Sequence, residues 1–543
     1  MAPVPFQHPV RYGPIAFAGA HIYSVVYLTY TVADSLYTSY KSLGPAADTR
    51  SRIAQRRRLV PAFLGLAVAA ISVAAYSYIA SARLSYGNWA YEHGLDLPSR
   101  LVGEDGVIHN TKNSSQLYLT QWMSDTPIYH DALEIVAEKA RRFWWGQQID
   151  LATTAFSMLL SIEGRRRKIP MLSAFMVLAH LVNLSFAQNL FYVAVLLTPF
   201  PLPSGDEDLE LPVLPMPNST WTRIRNMLRL PKPANWLPSP ALLFGALMLN
   251  FISTFLLPYA AETPSFPKVV MLARTTTFLP LILPKIVPVK WGAVHEHPHE
   301  AYATFTKLFR FFSLASFALH AKATFVGLVS NAPSSHYHRH SAFIPWDVEE
   351  RSKWERTTTA IHKVLGSVHD HPVVAAVGWD VLICTLSLGL WAAVRATDVQ
   401  DILKSAVPFY GSTSRAESTP VEDETPKTPE KAEFVDHEHG MTLRRRGRPT
   451  KSRVGSIARS SSGVSEDVTP ASTRKRGRPR KVKQPEEDKA YEPTPSEAAQ
   501  LAEGDELPEE LDWEAGTLAW GLAAFGGLTS ACAGVFGGEC VSR

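Results

Sequence analysis

Cysteine is scarce in this chain: its 543 residues include only Cys384, Cys532 and Cys540, each in or beside an apolar run. Three such cysteines exclude a disulfide framework and a cysteine-based zinc site. An excess of charge of one sign is also lacking, because 54 lysines and arginines accompany 50 acidic residues. Bulk charge therefore identifies no partner.

Regular histidine–carboxylate boxes are lacking as well. Two histidine-rich stretches, 295–300 and 336–340, come nearest to a metal-binding pattern, but Pro298 breaks any helix that would align the first one. Loop histidines are more often solvated than bound to metal, so we predict no metal site and no cofactor. A cleavable signal peptide is not expected either, because the first apolar run is too long and no small-residue cleavage site follows it. We expect it to act as a signal anchor.

What the chain does have is a series of long apolar runs bounded by charge. A helix of about 20 apolar residues crosses a bilayer. The strong runs are 14–37, 59–82, 169–200, 236–259, 308–329 and 373–394, the weaker ones are 143–162 and 269–289, and a late one is 515–538. The sequence thus predicts an all-α protein, a polytopic transmembrane helical bundle over 14–394 with about eight spans. The mean hydropathy of only −0.04 reflects a long polar tail.

Basic loops indicate the sides of the membrane. Clusters of arginine and lysine at 50–58 and 165–168 are expected in the cytosol, which places region 86–142 in the lumen, with a surface-lying helix over 131–143. Asn113 and Asn218 begin glycosylation acceptor sequences. Continuing the count would leave the basic tail in the lumen, so one segment is not a simple crossing. The three prolines of 269–289 predict a re-entrant or broken helix there.

Region 410–512 is rich in proline, serine, threonine and charge and is predicted to be a disordered tail. It contains two motifs that resemble AT-hooks, whose extended Gly-Arg-Pro core lets arginines enter the narrow minor groove of A/T-rich DNA. The alternative is a basic tail that meets anionic lipid. The run at 515–538 is a candidate final transmembrane helix. The DNA-binding candidates are Arg446, Gly447, Arg448, Pro449, Arg476, Gly477, Arg478 and Pro479.

Ionisable groups inside predicted spans are candidates for function, because their burial in lipid is unfavourable. Asp380 and Asp150 lie within apolar runs, and a buried carboxyl group that keeps its proton can act as a general acid. The alternative is that such groups only hydrogen-bond between helices, which we favour for Asp34 and Asn183. His369, Asp370 and His371 stand at the mouth of the span that carries Asp380 and are candidates for lining an entrance.

Four short strings in the apolar core resemble a group of fungal multi-pass membrane proteins found with secondary-metabolite pathways. Some members of that group are similar to the membrane-bound terpene cyclases of the ascofuranone type. The strings are Trp144-Trp145 with Gln147-Gln148, residues 163–167, residues 186–191, and His371-Pro372 with Gly378-Trp379-Asp380. The resemblance covers roughly 86–394 and does not extend to the tail.

This resemblance implies an acid-initiated cyclisation of a prenylated, lipid-soluble substrate through a carbocation, with an intramembrane acid and aromatic faces that stabilise positive charge. Asp380 would be the acid, and Asp150 or Glu163 the second carboxylate. The expected substrate-binding residues are Trp145, His180, Gln188, Asn189, Phe191 and Trp379, with Tyr192 and Trp391 as further candidates for the pocket wall.

Two functions are therefore carried forward. The first is a cyclase in the endoplasmic reticulum membrane, with the bilayer and a prenylated small molecule as partners. The alternative is a non-enzymatic protein of the nuclear envelope whose AT-hook-like tail contacts A/T-rich DNA. A transporter is less favoured, since the sequence shows no internal repeat.

Overall fold

The computed structural model describes residues 9–42, 50–95, 118–198, 236–294, 302–338, 348–408, 410 and 511–542. These residues form an all-α helical bundle. Five helices are long and apolar enough to cross a membrane, and a sixth span results if one bent helix pair is counted. The architecture is compatible with a multi-pass membrane protein. The five long apolar segments are Tyr12–Ser42, Arg56–Glu92, Pro240–Ala260, Thr304–Asn331 and Pro372–Arg395.

The helices follow one another along the chain with short connections. In the first half they are α1 (Tyr12–Ser42), α2 (Arg50–Glu92), α3 (Leu119–Asp125), α4 (Ile128–Glu138), α5 (Ala140–Leu159, continued by a π-helical turn, Leu160–Gly164), α6 (Leu172–Leu181) and α7 (Leu184–Leu197). In the second half they are α8 (Pro240–Ala260), α9 (Phe266–Thr276), α10 (Leu279–Ile286), α11 (Tyr302–Asn331), α12 (Lys353–Leu365), α13 (Pro372–Arg395), α14 (Val399–Ala406), α15 (Trp513–Gly526) and α16 (Leu528–Ser542).

Two short antiparallel strand pairs join loops at the ends of the bundle. Strand β1 (Trp236–Pro238) pairs with β2 (Gly292–Val294), in the register Trp236 to Val294. Strand β3 (His336–His338) pairs with β4 (Val348–Glu350), in the register His336 to Glu350. The first pair closes the segment formed by α8, α9 and α10, so the start of α8 and the end of α10 lie at the same end of the bundle.

The bundle has two chemically distinct ends, which we call the basic face and the opposite face. At the basic face, Arg56 donates to the carbonyl of Leu196 at 3.1 Å and Arg167 to that of Thr198 at 3.3 Å. These contacts bring together the two basic clusters that the sequence placed on one side. At the opposite face, Arg141 pairs with Asp370 at 2.7 Å.

Seven segments of the described chain connect these two faces: α1, α2, α5, α8, the pair α9–α10, α11 and α13. Helix α5 is more polar than the other six, yet it lies at the centre of the bundle, with most of its side chains buried. The α9–α10 pair is bent by 60° at its break. The predicted break in 269–289 is therefore present, but this segment still reaches from one face to the other, as the Ser161 hydroxyl bond to the Pro280 carbonyl near the basic face indicates.

The predicted span at 169–200 is not one helix. It is a hairpin of α6 and α7, called here the first hairpin. Leu172 packs beside Gly164, and Thr198 accepts from Arg167, so both outer ends lie at the basic face. Helices of 10 and 14 residues are only about 15 and 21 Å long, which takes the chain to roughly mid-depth and back.

The predicted final span at 515–538 is also a hairpin, formed by α15 and α16 and called here the second hairpin. Asp512 donates its backbone N–H to the Ala393 carbonyl, and Glu539 pairs with Arg395 at 2.7 Å, so both ends again lie at the basic face. The turn is at Gly527, whose φ of +80° favours glycine. Gly534 packs closely on Ile402 and Ala406.

The two hairpins account for the topology that the sequence left open. The predicted break in 269–289 is confirmed by the 60° bend between α9 and α10, and the structure adds a second break, in 169–200, that the sequence did not predict. The described chain starts at the opposite face and reaches residue 410 at the basic face, where Arg310 donates to the carbonyls of Lys404 and Tyr410. The predicted surface helix over 131–143 is likewise divided, because α4 ends at Glu138 and α5 begins at Ala140.

Candidate functional site

Asp380 holds the first hairpin in place. Its carboxylate accepts the backbone N–H of Leu184 at 3.0 Å and that of Ser185 at 2.7 Å, at the start of α7. The residue is only 4% exposed. The first N–H groups of a helix have no partner within the helix, and at mid-depth no water replaces it. These bonds occupy both carboxylate oxygens, so the geometry favours a capping role over that of a proton donor to a substrate.

Several expected substrate contacts lie instead in the packed interior around α7. Gln188 donates to the Tyr192 hydroxyl at 2.7 Å, and Asn189 donates to the Ser387 hydroxyl at 2.8 Å. Phe191 contacts Phe156 edge to face. All three predicted residues are almost fully buried. Asn189 and Phe191 thus join α7 to neighbouring helices, whereas the Gln188 bond stays within α7, and a substrate could reach the three residues only after the bundle had opened.

The aromatic candidates are spread over the molecule and do not form one pocket. Trp145 is buried and donates to the Val364 carbonyl at 3.3 Å. Trp379 is 52% exposed and faces outward, away from Asp380 on the same helix. Trp391 stacks on Tyr192 with ring centroids 4.3 Å apart and nearly parallel planes. Trp379 occupies the position of a lipid-facing or interfacial anchor.

Glu163 belongs to a buried ion cluster at the basic face. Its carboxylate pairs with Arg166 at 2.8 Å and with Arg167 at 3.3 Å. Arg395 and Glu539 continue the cluster into the second hairpin. Buried charges are tolerated when they are paired and hydrogen-bonded. The contacts of Glu163 therefore indicate a structural role, at a position remote from the carboxylate of Asp150.

Three ionisable side chains from three helices meet between the two faces. Asp150 of α5 and Arg274 of α9 interact electrostatically, and Arg274 also donates to the His180 carbonyl of α6 in a long bond of 3.5 Å. His180 Nε2 lies 2.8 Å from the Thr277 hydroxyl. All three ionisable residues are half-buried. We call Asp150, His180, Arg274 and Thr277 the intramembrane cluster.

The hydrogen bonds assign the protons of His180. The Thr277 hydroxyl donates to the Arg274 carbonyl at 2.6 Å, so it must accept from His180 Nε2–H. In the neutral ring, Nδ1 is then the unprotonated nitrogen and can accept a proton. The ring also stacks on Phe278 with centroids 5.2 Å apart. His180 is thus oriented as a base whose position is fixed from two sides.

Asp150 is the residue of the cluster whose side chain is available to bind or protonate another molecule. Within the described part of the chain, no hydrogen bond or ion pair within 4 Å reaches its carboxylate, whereas its neighbour Thr154 is bonded to Asn250 at 2.9 Å. It lies ten residues into α5, about 15 Å from the start of the helix, and therefore near mid-depth. An unpaired carboxyl group beside a guanidinium and an imidazole can exchange protons with a bound molecule.

A separate cavity of about 630 Å³ opens at the opposite face, between α2 and the α3–α4 segment. This volume is within the range of small-molecule sites. Burial raises the pKa of Asp131, which lines the cavity. Burial and the nearby Arg142 lower the pKa of His371, which lines it too. Of the residues expected to line an entrance, His371 lines this cavity.

Some candidates lie outside the described residues. These are the two glycosylation acceptors, Asn113 and Asn218, both Arg-Gly-Arg-Pro motifs (446–449 and 476–479), the histidine stretch 295–300 and the last two residues of 336–340. His336 and His338 are placed in strand β3, paired with Glu350 and Val348.

Arg274 is the functional candidate that sequence reasoning missed. The sequence showed it only as a charge that interrupts 269–289. Its partners, Asp150 and His180, were both selected, but nothing in the sequence indicated that the bent pair α9–α10 places a guanidinium between them. A charged residue inside a weak span was the signal that could have been used.

No protein-family model matches this chain, and neither a curated protein nor a solved structure shows significant similarity to it.

Proposed function

We propose that this chain is a membrane enzyme that performs acid–base chemistry on a lipid-soluble substrate at the intramembrane cluster. One observation carries the proposal: Asp150, His180 and Arg274 come from three separate helices and meet near mid-depth, while the Asp150 carboxyl group has no hydrogen-bond partner among the described residues. Intramembrane ionisable groups usually mark a functional pathway or site.

The reaction class proposed is the acid-initiated cyclisation implied by the resemblance to membrane-bound terpene cyclases. Asp150 donates a proton to an alkene or epoxide of a prenyl chain. The electron pair of a neighbouring double bond then closes the ring, and a proton lost from the resulting cation returns to the Asp150 carboxylate, directly or through His180. No atoms are gained or lost, so substrate and product are isomers.

Each neighbour of Asp150 has a definite part in this scheme. Arg274 stabilises the carboxylate that remains when the proton leaves. His180 Nδ1 accepts a proton from the cationic product. Phe278, stacked on His180, offers an aromatic face to positive charge. Asp380 acts as a positioning residue, because it fixes the first hairpin that carries His180.

The test compares lipid extracts of cells that express the wild type, Asp150→Asn or Asp34→Asn at matched protein levels. Asp34 is the control because it is another aspartate inside a span, but exposed on α1. We expect the wild type and Asp34→Asn to convert a linear prenylated compound into an isomer of equal mass, and Asp150→Asn to accumulate the linear compound. An unchanged product profile in Asp150→Asn would contradict the proposal.

A second candidate function rests on the two Arg-Gly-Arg-Pro motifs. The described residues on each side of 411–510, Tyr410 and Leu511–Asp512, lie at the basic face. Region 411–510 contains no apolar run of spanning length. Both motifs are therefore expected on the side of the basic face, where a nuclear-envelope protein would meet chromatin.

This second function is tested with the full-length protein in detergent and fluorescent duplex DNA. If the motifs bind DNA, A/T-rich duplex is preferred and affinity falls steeply with salt. Replacing Arg446, Arg448, Arg476 and Arg478 by alanine removes that preference. Equal binding of A/T-rich and G/C-rich duplex by the wild type would leave only a general polycation effect.

A further inference from the structure

Three potential metal ligands converge on one side of α4, at the opposite face. His130 Nδ1 lies 3.6 Å from Asp131 Oδ1 and 3.5 Å from Glu134 Oε2, and the three donor atoms lie within 4.8 Å of one another. Residues four apart on a helix share a face, which explains the pairing of His130 with Glu134. About 3.4 Å separates two ligand atoms around a tetrahedral ion with bonds of about 2.1 Å.

Contacts from outside the cluster orient two of the three side chains. Glu134 Oε1 accepts the backbone N–H of Glu262 at 2.8 Å, which turns Oε2 toward His130. The His130 ring packs edge to face on Phe266, with centroids 5.5 Å apart. Such outer contacts fix the orientation of ligands around a metal and raise its affinity.

Among the described residues, His130 is the basic side chain that pairs with the carboxylates of Asp131 and Glu134. In the described part of the chain, no lysine or arginine lies within 4 Å of Asp131 or Glu134, and Arg141 and Arg142 pair with Asp370 and Glu138 instead. A divalent cation between the two carboxylates offsets their mutual repulsion more completely than a single imidazole does.

The cluster also has an open side. Asp131 lines the cavity of about 630 Å³, whose wall carries two more carboxylates, Glu92 and Asp125, and a single basic side chain of lysine or arginine type, Arg11. Metal sites that act on a ligand have three protein ligands and leave a position for water or substrate. Of the three candidate ligands, Asp131 lines the cavity, so the cavity adjoins the cluster at this residue.

We propose that His130, Asp131 and Glu134 bind one divalent transition-metal ion at the rim of this cavity. An imidazole with two carboxylates suits Zn²⁺ or Mn²⁺ and disfavours ions that require thiolate. The remaining coordination positions face the cavity and take water or an oxygen of a small anionic or carbonyl ligand. This site is distinct from the intramembrane cluster and does not rest on the proposed function.

The test is metal titration of the full-length protein, purified in detergent and stripped with a chelator. We expect one equivalent of Zn²⁺ or Mn²⁺ to bind and to raise the thermal midpoint. His130→Gln and Glu134→Gln should each weaken binding at least about tenfold. The matched controls are His362→Gln and Glu355→Gln, a histidine and a glutamate exposed on α12, which should bind like the wild type.

A second readout avoids dependence on variants that fail to fold. Co²⁺ bound to the wild type should give the visible absorption of a nitrogen- and oxygen-ligated ion, displaced by one equivalent of Zn²⁺. The absence of saturable binding to the wild type would overturn the proposal. One equivalent that binds equally well to His130→Gln or Glu134→Gln would do so too, because the ion would then be adventitious.

Discussion

At the scale of single residues, position within the hydrogen-bond network separates two aspartates that look alike in the sequence. Asp380 and Asp150 are both carboxyl groups in apolar helices. Each carboxylate oxygen of Asp380 accepts a backbone N–H, whereas the Asp150 carboxylate has no such bond in the described part of the chain. The sequence could identify both as unusual, but the partner of Asp380 is 196 residues away and carries no local signal.

Replacing Asp380 should therefore lower the free energy of unfolding of the protein more directly than it lowers activity. Asp380→Ala leaves two buried N–H groups unpaired, which costs about 2–6 kcal/mol at 1–3 kcal/mol each. Asp380→Asn keeps one acceptor oxygen and should lose about half as much. Thermal unfolding of the purified variants in detergent measures this order. Equal stability of Asp380→Ala and the wild type would show that the cap contributes nothing.

At the scale of elements, apolar length predicted where helices exist but not whether they cross. The run at 169–200 is long enough to span, yet Val182 leaves the helical conformation, with φ −109° and ψ −83°, and Asn183 begins a new helix by accepting from Phe186 N–H. A hydropathy profile measures the length of an apolar run and does not detect such a break in the helix. In contrast, the break between α9 and α10 could be predicted from the sequence, because Pro280 and Pro284 lie in this segment.

The start of α13 should be sensitive to pH. His371 Nδ1 accepts the backbone N–H of Val373 at 3.2 Å, which requires a neutral ring, and its pKa is lowered by burial and by Arg142. The unfolded chain therefore binds a proton more readily than the folded one. Stability from this group is present above the unfolded pKa of about 6.5 and is lost as pH falls through and below it.

His371→Asn keeps a cap acceptor that does not titrate. We expect the wild type to lose more of its thermal midpoint than this variant between pH 8 and pH 5. Because all other titrating groups are common to both proteins, the difference isolates His371. Parallel pH profiles of the two proteins would exclude a role for the histidine cap.

At the scale of the whole molecule, the sequence predicted the helical bundle and the common side of its two basic clusters. It did not predict that the C-terminal segment enters the core. Glu539 pairs with Arg395. At the start of α16, the backbone N–H of Leu528 donates to Gln148 Oε1 at 3.1 Å. These pairs are more than 140 residues apart. No period or motif in one sequence encodes such contacts.

The topology gives a prediction for intact microsomes. We predict that residues 43–49, 165–168 and 411–510 lie on the side of the basic face, which positive charge assigns to the cytosol. We expect an external protease to cut within 43–49 and 411–510, and Asn113 to be glycosylated from the other side. Glycosylation of an acceptor site inserted in 411–510 would invert this arrangement and contradict it.

The central claim is that Asp150 and Arg274 act together on a lipid-soluble substrate, and a double-mutant cycle tests it most directly. The measurement is the rate of isomer formation in membranes that contain the wild type, Asp150→Asn, Arg274→Gln or both substitutions at matched protein levels. Loss of a general acid typically lowers a rate by about 10²–10⁴. If the two groups form one unit, the double variant is no slower than Asp150→Asn alone. Independent, multiplicative losses would separate the two residues, and wild-type turnover in Asp150→Asn would contradict the account.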